Sequence, residues 1–249
     1  MQFIKSKIKL VALLTLLSAT AFKTHSQTNS DIPLYTKYDS IAGKENLGLY
    51  NGTLHTNPYK TINNNNMYFI ADKYSLENVV YDNQPYYNVN LKYDIYRDQI
   101  VCNPHGQADY IGINLIPEKT HSFSFHGKQF VNLTLKKNTS QEYIKGYYEE
   151  IIIGNQIILY IKYHKNILEI TGNEFIYQTF IEANTIIAKY KDTLYTMNTK
   201  KDAKMIFPQF KREINSYFDK NKSMEKSNRI IFTQNLLTYI NGFLISKSN

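Results

Sequence analysis

Between residues 46 and 198 apolar positions come in short runs, many of them alternating with polar ones, and turn-forming pairs separate the runs at the spacing of an antiparallel meander. The pattern predicts strands at 46–54, 67–71, 77–81, 86–96, 99–103, 110–116, 121–125, 128–135, 143–153, 156–163, 175–181, 184–191 and 193–198. Asp82-Asn83, Arg97-Asp98, His126-Gly127, Gly154-Asn155 and Lys191-Asp192 supply the turns, and connections this short make neighbouring strands antiparallel. The tract Asn63 to Asn66 is expected to be a loop.

Near Thr199 the period changes. Thr199 and Asp202 have the spacing of a capping box, and Phe207, Phe210, Ile214 and Phe218 then share one helical face, with Pro208 marking a break or a first-turn position. A second helix is expected from about Glu225 to Asn241, burying Phe232, Leu236, Tyr239 and Ile240 and ending at Gly242. The expected fold is therefore mainly β: an antiparallel curved sheet or partly closed barrel of many strands, finished by two C-terminal amphipathic helices, with an α+β arrangement as the alternative.

The densest tyrosine stretch, VVYDNQPYYNVNLKYDIYRDQIV (79–101), tests whether pattern or chemistry dominates. Sorted by parity, Tyr87, Val89, Leu91, Tyr93 and Ile95 share one face, and Asn88, Asn90, Lys92 and Asp94 share the other. That is a half-buried strand, and Asp82 and Asp98 fall in its turns. What the pattern leaves over is a wet face on which Tyr86, Asp94 and Tyr96 are the candidate ligand-binding residues.

The same residues carry a resemblance. A tyrosine, a turn and a tyrosine, then the strand Asn88-Val89-Asn90-Leu91-Lys92-Tyr93-Asp94 and the strand Asp98-Gln99-Ile100-Val101, resemble a pattern in a family of exported β-rich proteins of Bacteroidetes-type bacteria. Leu47 to Gly52, Phe130-Val131, Tyr147-Tyr148-Glu149 and the C-terminal helix pair are similar as well, so the resemblance covers most of the chain beyond its first residues. It implies export and a β-rich fold, and brings with it no activity and no catalytic residues.

The N-terminus fits that expectation. Lys5, Lys7 and Lys9 precede an apolar run from Leu10 to Leu17 that continues to Phe22, with small residues after it. This is the pattern of a secretory signal peptide, too short to span a bilayer as a helix. Residues 1–26 are thus expected to be a signal peptide, 27–45 a polar N-terminal segment, 46–198 an antiparallel β domain, and 199–249 a helical segment packing on that same domain. The expected location is exported, either periplasmic or outer-membrane-associated and extracellular.

Export changes the charge picture. The formal charge of +8 includes four lysines in residues 1–26, where there are no acids, so it falls to +4 without them. The remaining excess is concentrated in residues 200–229, which carry nine Lys/Arg against four Asp/Glu. Such a surface suits a peripheral contact of the basic C-terminal helices with an anionic membrane surface, or an envelope protein partner; export argues against nucleic acid. The single cysteine, Cys102, has no partner for an intramolecular disulfide and is expected to be buried and inert.

Candidate chemistry is sparse. Glu149 and Glu150 are adjacent on a strand and point to opposite faces, and the pair Asp94 and Asp98 includes a turn residue, so neither suits the facing carboxyls of a glycoside hydrolase. His105, Asp109, His121 and His126 form the segment richest in metal-ligand types, but opposite parity of His121 and His126 disfavours a shared ion. No phosphate loop, nucleophile elbow, HExxH or calcium-loop motif occurs, so no catalytic residue, metal site or cofactor is expected. There are 22 tyrosines and no tryptophan, which allows an aromatic sugar platform but equally an aromatic core. The leading expectation is an exported, non-enzymatic cell-envelope accessory or interaction protein. The alternative is a binding module for a glycan or a hydrophobic small molecule inside the curved sheet, with a hydrolase third.

Overall fold

The computed structural model describes residues 33–35, 37, 47–135, 144–172 and 175–246. The expected signal peptide, most of the polar segment 27–45 and Tyr143 lie outside the described residues. Strands follow in chain order as β1 (Thr53–Leu54), β2 (Ser75–Tyr81), β3 (Gln84–Asp94), β4 (Gln99–Cys102), β5 (Ile113–Asn114), β6 (Thr120–Phe125), β7 (Lys128–Asn132), β8 (Tyr147–Ile153), β9 (Ile157–Lys162), β10 (Lys165–Thr171), β11 (Ile176–Glu182), β12 (Thr185–Tyr190) and β13 (Thr193–Thr196). The helices are α1 (Lys200–Ile206), α2 (Lys211–Lys220), α3 (Lys222–Ser227) and α4 (Arg229–Ser246).

The protein is mainly β. Eleven strands form one antiparallel sheet in the order β1-β5-β4-β3-β2-β6-β7-β8-β9-β12-β13, and β10 pairs with β11 as a separate hairpin. Three two-residue turns predicted from sequence, Asp82-Asn83, His126-Gly127 and Lys191-Asp192, have both residues at positive φ, the turn whose twist matches paired strands. The sheet is open, with β1 and β13 as its edges.

It is also strongly curved. Asp98, in the turn after β3, accepts hydrogen bonds from the Tyr147 amide of β8 at 3.3 Å and from Lys162 of β9. In a flat sheet β8 would lie four strand spacings from β3, about 19 Å away. Rolling brings Tyr93, Phe123, Phe130 and Tyr147 together, with the Phe123 and Phe130 rings stacked at 4.8 Å. Gly146 makes the closure feasible: it sits at φ 83°, and a Cβ there would fall 1.7 Å from the Asp98 carboxylate.

The inside of the roll is filled by these side chains together with Phe69, Phe125 and Tyr163, all within one core cluster. The buried faces of the helices join the same core through Ile206, Phe210, Ile214, Phe218, Phe232, Leu236, Leu237 and Ile240. Thr199 caps α1 with the predicted capping box, its hydroxyl accepting from the Asp202 amide and Asp202 accepting from the Thr199 amide. Pro208 opens a 3₁₀ turn that separates α1 from α2. The last helix does not stop at Gly242 but continues to Ser246, since Gly242 does not adopt the left-handed conformation of a helix cap.

Other boundaries also move. Residues 46–54 hold a 3₁₀ turn at Gly48–Tyr50 and only the short β1, while 67–71 contributes a single bridge, Tyr68 to Asp94, in place of a strand. The strand β10 is not among the predicted strands; Asn166 and residues 168–171 are exposed, so it has no buried face for alternation to mark. That hairpin buries Phe180 and Ile167 against Tyr59, Tyr96, Met67 and Tyr68. The asparagine tract anchors it, since Asn65 both donates to the Phe180 carbonyl and accepts from the Phe180 amide.

Candidate functional site

The three residues left over by parity do not form a wet face. Opposite Asn78 of β2, β3 carries two residues, Tyr87 and Asn88, and Asn88 adopts φ 54°: a β-bulge. The extra residue shifts parity by one at this end of the strand, so Tyr86 is buried in the core and Tyr87 is only half-buried. Asp94 has no exposed surface; one of its oxygens accepts from the Tyr96 and Arg97 amides at 3.0 Å, and burial raises its pKa against these bonds. Tyr96 packs edge-on against Tyr59 and Phe180 under the hairpin. Each is used by the fold.

What does open to solvent is a cleft of about 650 Å³ beside β3, lined in part by His55, Tyr68, Asp72, Tyr74, Lys92 and Tyr110. Its floor begins with Lys92, on the face of β3 opposite the core. The ammonium lies 4.2 Å from the Tyr68 ring centre and 4.6 Å from that of Tyr74, and bonds the Asp72 carboxylate at 2.6 Å. Two aromatic faces and one carboxylate hold the charge in place although Lys92 is buried. Gly112 is what lets Tyr74 lie there, since a Cβ at that position would come 2.6 Å from the Tyr74 hydroxyl.

Behind Tyr68 stands a hydrogen-bonded chain. The Tyr68 hydroxyl is 2.9 Å from His55 Nε2, and His55 Nδ1 is 2.8 Å from Asn114 Oδ1. A carbonyl oxygen can only accept, so Nδ1 carries the proton and Nε2 takes the bond from the tyrosine. Asn114 is held in turn by donating to Thr53 Oγ1 at 3.2 Å. Burial lowers the His55 pKa, so the ring stays neutral, and burial with the nearby Asp72 charge raises that of Tyr68. Burial likewise pushes Tyr74 up to about 12. At neutral pH the tyrosines are hydroxyls and the histidine has no free nitrogen.

The groups on the floor are already engaged with one another. Tyr68 is buried, both His55 nitrogens are engaged, and Asp72 is spent on Lys92. The rim is different: Tyr110 is 86% exposed and stands with Asn57, Lys73 and Asp109 around the opening. A second depression of about 290 Å³ adjoins the cleft at Asn90, which lines both, and includes Leu76, Tyr86, Tyr87 and His105.

Sequence reasoning touched this region at Asp109, as a metal-ligand type, and at Lys92, as a strand's polar face. It missed His55, Tyr68, Asp72, Tyr74 and Tyr110, whose only local signal is a lysine in the middle of an apolar alternation. The histidines are dispersed: His105 borders the second depression, His121 lies on β6 and His126 in the next turn, and among the described residues no three His, Cys, Asp or Glu gather. The carboxylate pairs are structural. Glu149 accepts from Lys128 at 2.8 Å and from the Tyr163 hydroxyl at 2.7 Å, and Glu150 accepts from the Tyr160 hydroxyl at 2.8 Å. Cys102 is buried, with its thiol pushed up to about 12. No protein-family model matches this chain, and comparison with curated proteins and with solved structures finds none that matches it either.

Proposed function

We propose that the protein is a non-enzymatic accessory component of the cell envelope that holds a carbohydrate-class ligand in the cleft beside β3. The observation that carries this reading is the exposed Tyr110 ring at the rim of a cleft whose floor, Lys92 between Tyr68 and Tyr74, is already ordered. A sugar has an apolar C–H face that covers an aromatic ring and hydroxyls that both donate and accept. Asn57, Asn90 and Asp109 offer partners for the hydroxyls. The secretory pattern of residues 1–26 and the resemblance to exported proteins support the envelope as its place.

Calorimetry against a panel of soluble neutral and acidic oligosaccharides tests the proposal. One class should bind, with Tyr110→Ala and Lys92→Met each weakening it by about 10-fold, on the order of one lost stacking or polar anchor. Binding unaffected by both substitutions, or no binding across the panel, rejects the cleft as the site. Release of reducing ends from a bound oligosaccharide would reject the non-enzymatic reading.

A further inference from the structure

The basic excess of residues 200–229 is not spread evenly over the helices. The start of α1, the end of α2, all of α3 and the start of α4 meet at one end of the helical layer: Lys200 bonds Asp219 at 3.3 Å, Arg229 bonds Glu225 at 3.5 Å, and Arg229 also donates to the Asn198 carbonyl. The acids at this end are all engaged internally. Asp219 holds Lys200, Glu225 holds Arg229, and Asp202 accepts from the Asn198 and Thr199 amides in the capping box. Four lysines remain, Lys201, Lys220, Lys222 and Lys226; all are exposed, and none forms an ion pair with a described residue.

We propose that this corner docks on an anionic phospholipid surface. Lysine offers a hydrated point charge, without the planar fork by which arginine grips a single carboxylate or phosphate. Four such charges on neighbouring helix ends match a diffuse field of head groups better than one discrete anion. Most of the helices' apolar surface is buried in the core, at Ile206, Ile214, Phe218, Phe232 and Leu236, while Met205 and Ile231 stay exposed. No helix among the described residues is long and apolar enough to cross a membrane. The contact is therefore electrostatic and superficial, and it is independent of what occupies the cleft.

Co-sedimentation of the full chain with vesicles tests this, using phosphatidylcholine alone and phosphatidylcholine with about 30% phosphatidylglycerol, an anionic content chosen to give a substantial surface potential. The chain should pellet with the anionic vesicles and be released at about 500 mM salt, where screening is nearly complete. Replacing all four lysines by glutamine should weaken binding by about 100-fold or more, given roughly 5-fold per lysine near the surface. Lys211→Gln with Arg212→Gln, at the other end of α2, should leave it unchanged. All variants share one N-terminus, so its contribution cancels, and thermal melts confirm folding. Equal binding to both vesicle types, loss with the Lys211/Arg212 variant, or capture by soluble heparin but not by vesicles would each overturn the proposal.

Discussion

The two faces of the sheet use tyrosine in opposite ways. Inside the roll, Tyr93 and Tyr163 bury their rings and give their hydroxyls to the carboxylates of Asp98 and Glu149 at 2.6 and 2.7 Å. In the cleft outside, Tyr68 and Tyr74 turn their faces toward the ammonium of Lys92 and their hydroxyls toward His55 and a backbone carbonyl. The inner arrangement closes a rolled sheet around dry polar links. The outer one holds the Lys92 charge between two rings and a carboxylate beneath the exposed Tyr110. Much of the tyrosine content is therefore core: Tyr68, Tyr81, Tyr93 and Tyr147 are buried, while Tyr110 is exposed.

Substitutions should separate the two faces cleanly. Phe130→Ala removes a ring stacked on Phe123 at the centre of the roll and should cost about 3–5 kcal/mol in urea unfolding. A cost below about 1 kcal/mol would mean the interior is loosely packed. Asp98→Ala takes the shared acceptor from Tyr93, Lys162 and the Tyr147 amide, leaving a largely buried ammonium unpaired, and should cost about 2–3 kcal/mol after allowance for partial exposure. Adding Lys162→Met should recover part of that loss, and a double-mutant cycle with no coupling would break the account of the closure.

The outer face should respond to acid. Burial holds the folded His55 pKa below its ordinary value of 6.5, so the unfolded chain takes up the proton first. The contribution of His55 is then complete above pH 6.5 and is lost as pH falls through the lowered folded value. Melting temperatures between pH 7.5 and 5 should therefore drop more in the native chain than in His55→Gln. Identical slopes would show that the ring is not held as the geometry indicates. Smallest of all, Tyr110→Ala should change stability by no more than about 0.5 kcal/mol, because the ring is exposed.

Much of the scaffold was legible from residue pattern. Two-residue turns, the capping box at Thr199 and the buried row Val89, Leu91, Tyr93 and Ile95 follow from local rules, since φ preferences, caps and alternation act over a few residues. The bulge at Asn88 was not, because one extra residue inside a strand leaves the composition unchanged while reversing which of Tyr86 and Tyr87 faces the core. The wet face failed for a related reason. Lys92 and Asp94 have the right parity for solvent, but the segment 67–74 and the bridge from Tyr68 cover that side of β3.

The residues alone determined a mainly antiparallel β chain with a helical C-terminus, turns at named pairs and a basic excess near residues 200–229. These are properties of short windows, in which neighbours along the chain decide the outcome. Only the tertiary structure decided that the sheet rolls until Asp98 meets Tyr147, that His55, Tyr68, Asp72 and Lys92 converge, and that four lysines at one corner form no ion pair with a described residue. Those outcomes depend on pairings between residues far apart in sequence, and alternation within a strand carries no information about which strand will be its neighbour across the roll.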